Sequence, residues 1–185
     1  MATSQAQLNS VQQGDPKAQR ELYDLYKTKV MGISVRYTKD NDEAEDIFQE
    51  SFIKIFNHIH ELREIGHLEQ WIRRITVNTA INYYHKNKKH SHAVEKNGVH
   101  YQNDDYELIL GNFSNDTIIE IINHLPEGYR MVFNLNVVEG FSHAEIADAL
   151  HITEATSRSQ LTKAKQTLRH KLRALGIIKF EKYGS

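Results

Sequence analysis

FSHAEIADALHITEATSRSQLTKAKQTLRHKL, residues 141–172, reads as a short helix, a tight turn and a second, basic helix. Ser142 is placed to cap the first helix, and Glu145, three residues on, completes a capping-box pattern. Ile146, Ala147 and Leu150 give that helix an apolar side, and Ala147 is small where two helices would cross closely. His151 and Ile152 fill the turn. Thr153 caps the second helix, with Thr156 rather than an acid at the third position, so this second box is incomplete. Leu161, Ala164, Leu168 and Leu172 supply its buried face. A short helix that buttresses an exposed basic one is a common way to offer side chains to the DNA major groove.

Residue chemistry then ranks the contacts. Arg158, near the start of the second helix, can offer a bidentate donor pair to guanine, and Gln160 can pair with adenine. Thr156 and Ser157 suit phosphate, aided by the helix N-terminus. Ser159 lies on the same stretch. Lys163, Lys165 and Arg169 suit backbone phosphates.

The chain around this unit has 185 residues, enough for one large domain or two small ones, and its 39% hydrophobic content permits real cores. It has no cysteine, which excludes disulfides, thiolate catalysis and cysteine-based zinc sites. No apolar run approaches the roughly 20 residues that span a bilayer. The start, MATSQAQLNSVQQG, lacks the basic and apolar regions of a signal peptide. These features favour a cytoplasmic protein without membrane insertion. Net charge is −1, but its distribution is uneven. Residues 40–64 carry eight acidic and two basic groups. Residues 71–96 sum to +5, 97–130 to −5, and 153–173 again to +5. Two basic blocks on helices suggest two DNA-facing surfaces.

Upstream, nearly every segment reads helical. Asp15-Pro16 opens a helix on Leu22, Leu25, Tyr26, Val30 and Ile33. Asn41 or Asp42 caps the next, whose buried stripe is Ile47, Phe48, Ser51/Phe52, Ile55, Phe56 and Ile59. Its polar side offers Glu43, Glu45, Asp46, Gln49 and Glu50, which can dock a basic partner helix or, as a lesser alternative, form a metal or acid–base site. A third helix starts near His67, with Trp71, Ile75, Asn78 and Asn82 following one face. It bears Arg73, Arg74, Asn78, Asn82, Lys86, Lys88 and Lys89, which can track phosphates. Residues 90–115 are polar and weakly periodic and read as an interdomain linker, with a possible helical turn at YELIL. The expectation is all-α: a domain over 10–90, a flexible linker over 91–115, and a helix-turn-helix domain over 116–176. No nucleophile–base pair or metal constellation emerges, and no cofactor is implied. The eleven histidines, His90 and His92 among them, read as solvated.

EAEDIFQESFIKIF at 43–56, WIRRITVNTAINYYHK at 71–86 and LPEGYRMVFNLNVVEGFSHAEIADALHITEATSRSQLTKAKQTLR at 125–169, in that order, resemble the extracytoplasmic-function (ECF) sigma factors of bacteria. The resemblance covers roughly residues 10–175. It implies that the first domain binds the clamp helices of RNA polymerase through Asp46, Gln49 and Glu50. It implies that the loop around Leu62 to Leu68 captures a flipped base of the −10 element, and that residues 71–86 meet −10 DNA and assist strand opening. The second domain would read the −35 element, with Arg158, Ser159 and Lys163 at the DNA. An anti-sigma factor is a further partner of the kind the family takes. Where such proteins commonly have Gly-Thr-Val, this chain has Ala155, Thr156 and Ser157. A frequent aspartate is Asn82, and an arginine cluster is replaced by His85, Lys86, Lys88 and Lys89. The main competing reading is a helix-turn-helix regulator of another kind, with a helical dimerisation or sensing domain. A helical interaction protein and an enzyme rank below it.

Overall fold

The computed structural model describes residues 4–94 and 115–176, with side chains over 4–88 and 119–176. It is all-α among the described residues and divides into two units, Met1–Lys86 and Asn87–Ser185.

The first unit opens with a helix that the sequence reading did not include, α1 (Gln5–Gln12). Ser4 and Gln7 form a reciprocal capping box, and Leu8 and Val11 are buried. Gly14, at φ +81°, turns the chain into α2 (Pro16–Tyr37). There Asp15 accepts from the amides of Lys17 at 2.8 Å and Ala18 at 3.2 Å, as expected. Leu22, Tyr26, Val30 and Ile33 are buried, while Leu25 is 41% exposed and leaves the expected stripe. The buried residues step by four and three, which carries Leu25 to the edge of the face.

Helix α3 (Asn41–His58) is capped by Asp40 rather than Asn41 or Asp42: its carboxylate accepts from the Glu43 amide at 2.9 Å. Ala44, Ile47, Ser51, Phe52 and Ile55 are buried. Ser51 is tolerated there because its hydroxyl donates to the Ile47 carbonyl at 2.6 Å. Tyr23, Phe48, Phe52 and Phe56 form a run of ring contacts with centroids 4.7–6.0 Å apart. Two 3₁₀ turns, Ile59–Glu61 and Ile65–His67, lead into α4 (Leu68–Val94). Leu68 and Ile72 join the core, and Trp71 and Ile75 pack half-buried against it. Helix α4 continues to Val94, into the stretch expected as linker, whose YELIL segment lies outside the described residues.

In the second unit α5 (Asn115–Asn123) meets α6 (Glu127–Phe133) at Pro126. Buried Arg130 donates to the Asn123 carbonyl at 2.9 Å and pins that break. Helix α6 runs on into a π turn, Asn134–Val138, which Gly140 closes at φ +80°. The unit's final pair is α7 (His143–Leu150) and α8 (Glu154–Ala174). Ile121, Ile122 and Leu125 pack with Ala164 and Leu168 of α8, so the back of the basic helix is fixed in the core.

Candidate nucleic-acid interface

The helix pair α7–α8 forms as its local signals dictate. Ser142 and Glu145 make both bonds of the capping box, and the Ser142 amide holds the Glu145 carboxyl below the usual carboxylate range. His151 takes the left-handed conformation at φ 53° in the turn, and Thr153 accepts from the Thr156 amide at 3.1 Å.

This frame sorts the expected DNA contacts on α8. Arg158, Ser159, Lys163 and Lys165 are exposed. Arg158 is held by Glu154 one turn back, and Ser159 donates to the Thr156 carbonyl at 3.0 Å. Thr156 is half-buried, its hydroxyl 2.8 Å from that of Thr153. Gln160 is half-buried against Gly128, where an added Cβ would lie 3.2 Å from its Nε2. Ser157 does not face outward. It is fully buried, because 157, 161, 164 and 168 are one core-facing series, and its Oγ lies 2.9 Å from His143 Nδ1 on α7. The departure at Ser157 therefore replaces an apolar contact with a polar tie between the paired helices.

That tie gives a testable consequence. His143→Ala removes the partner of a buried hydroxyl, leaving it to turn back to carbonyls one turn earlier, of which Thr153's already accepts from the Ser157 amide. The second unit is expected to lose about 1 kcal/mol, and Ser157→Ala in the same chain should recover part of it. Denaturant melts of the two single variants and the double variant measure the coupling.

On α4 the exposed residues Arg74, Asn78, Asn82 and Lys86 follow one another at intervals of four and share a face. Exposed Arg73 points to a different flank, toward α2, where it lines a groove with Lys29 and Arg36. Lys88 is half-buried, and the side chain of Lys89 lies outside the described residues. The loop around Leu62 to Leu68 is strapped by α1. Gln12 donates to the carbonyls of Ile59 at 3.0 Å and Leu62 at 2.8 Å, and the Ile65 amide donates to Gln5 at 3.2 Å. Sequence reasoning missed this bracing because the partners lie far apart in the chain.

On α3, Asp46 and Gln49 are exposed and engaged by no other side chain among the described residues. Ile53, which the sequence reading did not single out, is 60% exposed and falls in line with them, away from the buried stripe. Glu50 differs from its neighbours. Its two oxygens lie 2.8 Å from Lys54 and 3.6 Å from Lys86, and Lys54 also donates to Thr79 at 3.3 Å. The Lys54 hydrogen bond holds the Glu50 carboxyl below the usual carboxylate range against partial burial, helped by the charges of Lys54 and Lys86.

Residues 22–90 match the family model described as Sigma-70 region 2, and residues 115–168 match that described as Sigma-70 region 4. An ECF RNA polymerase sigma-E factor of Haemophilus influenzae is 32% identical over 184 residues, 94% of this chain and 97% of the relative. The chain belongs to the ECF sigma factors.

The sigma-E factor of Escherichia coli K12 is 29% identical over 94% of this chain and 96% of its own length. Among solved structures, the sigma factor RpoE of Bartonella quintana, determined with the anti-sigma factor NepR, superposes with a TM-score of 0.51. It covers 83% of this chain and 96% of that one at 19% identity, a likeness of fold. As an ECF sigma factor the protein binds core RNA polymerase and directs promoter recognition, and it is not an enzyme. A regulator of another helix-turn-helix class would not account for a match that runs through both units. No described helix of this sigma factor is long and apolar enough to cross a membrane.

Proposed function

We propose how this sigma factor divides its work. The domain over residues 10–90 docks on polymerase through Asp46, Gln49 and Ile53 of α3, with Glu50 bracing α3 to α4. Its α4 row, Arg74, Asn78, Asn82 and Lys86, meets the −10 element. The loop around Leu62 to Leu68 holds an unpaired base, which biases the duplex toward opening by preferential binding. The domain over 116–176 reads the −35 element with Arg158 and Ser159, while Lys163 and Lys165 hold phosphates. Residues 91–115 connect the two grips, so that modest affinities multiply through linkage.

The observation that carries this reading is the row Asp46, Gln49 and Ile53: two unengaged polar side chains beside an exposed isoleucine, opposite a packed core. An apolar anchor within a polar rim is the usual make-up of a binding hot spot. The solved complex of a relative with an anti-sigma factor supports an inhibitor of that class here. The site of action is then the cytoplasm, with the polymerase.

Reconstitution with bacterial core polymerase and a promoter library tests the reading. Initiation at a defined set of −35 and −10 sequences, dependent on this protein, is the expected result. Initiation that is indifferent to either element would overturn the division of roles.

A further inference from the structure

The first unit holds an open groove of about 350 Å³ between α2 and α4. Lys29, Gly32, Ile33 and Arg36 line it from α2, and Glu69 and Arg73 from α4. Its lining thus carries three cationic side chains and one carboxylate. Gly32 has no heavy atom within 4 Å of where its Cβ would stand, so the α2 wall lies open at that point. Ile33, buried, supplies an apolar floor. Lys29 reaches across to Glu69, Nζ to Oε1 2.8 Å, and both side chains are more than half exposed. An exposed pair of this kind holds weakly and yields to a stronger anion.

We propose that this groove binds the sugar–phosphate backbone of a single promoter strand, with Lys29, Arg36 and Arg73 as phosphate contacts and Glu69 as the resident counter-ion that the strand displaces. The inference deepens the −10 reading of α4 and rests on it. Arg73 directly precedes Arg74, the first residue of the row that runs through Asn78 and Asn82, so the groove adjoins that row. A strand whose bases lie along the row would pass its backbone beside the groove. Two guanidinium groups and an ammonium suit phosphodiesters, which accept forked donor pairs. Such a site adds affinity without base preference.

The test uses holoenzyme and two DNA probes: a fork-junction promoter with a single-stranded −10 segment, and the same probe with abasic sites there. Binding is followed by fluorescence anisotropy over a range of salt. Lys29→Ala and Arg36→Ala should each lower the slope of log affinity against log salt by about 0.7, equally on both probes. Glu69→Gln should do the reverse, tightening binding severalfold and steepening the slope. A gain of that kind cannot come from misfolding. Unchanged slopes in all three variants overturn the groove while leaving the −10 reading intact, provided the wild type still prefers the cognate −10 sequence over a scrambled one. If the wild type shows no such preference yet the slopes shift, the groove binds phosphate and the −10 reading fails. If the variants alter only competition by a poly-glutamate peptide, the groove is a site for acidic protein segments and the proposal is wrong.

Discussion

Core-polymerase affinity is expected to fall roughly 30- to 700-fold when Asp46 and Gln49 are both alanine, a loss of about 2–4 kcal/mol. The fold should not suffer. Both side chains are exposed and engaged by no other residue among those described, and alanine favours a helix interior. The loss therefore falls on binding alone. Ile53→Ala should add to it, because the isoleucine is 60% exposed and its truncation opens no cavity within the unit. Titration of labelled variant into core polymerase, beside a thermal melt, separates the two effects. Normal holoenzyme affinity with an unchanged melt would remove α3 as the docking face.

The second large effect is expected at Arg158. Its replacement by alanine should cost about 1–3 kcal/mol on a cognate −35 sequence, roughly 5- to 150-fold, and much less on random DNA. Arg158 stands exposed near the start of α8, and Glu154 one turn back holds its guanidinium. Glu154 also sits in the first turn, where a carboxylate is favoured by the helix dipole, so the arginine can leave it without loss of the helix end. Equal losses on cognate and random DNA would make Arg158 a phosphate contact only.

What could be read from the sequence was local. Asp15, Ser142 with Glu145, and Thr153 act within three residues of themselves, and all cap as their spacing predicts. Wide apolar stripes likewise identified α3 and α8. Helix α1 was missed because only Leu8 and Val11 are buried in it. The cap of α3 falls on Asp40 rather than Asn41 or Asp42 because all three are chemically eligible and their spacing does not choose among them. Non-local pairing was invisible. Ser157 reads as a DNA contact in the sequence because its partner His143 lies on the other helix, and the groove joins Lys29 and Arg36 of α2 to Arg73 of α4. The π turn at 134–138 depends on backbone bonds that no side-chain pattern announces.

Glu50 has one more consequence, in the order of assembly. It shares a carboxylate between Lys54 on α3 and Lys86 on α4, the face proposed to dock polymerase and the row proposed to meet DNA. A polymerase cation that draws on Glu50 loosens Lys86, and a phosphate that draws on Lys86 loosens Glu50. Reciprocity makes the two effects equal in free energy. Lys86 is exposed and stands 3.6 Å from the half-buried Glu50, so the pair is worth about 1 kcal/mol, roughly fivefold in either affinity. That is too little for a switch. It is enough to make each ligand's arrival a mild invitation to the other.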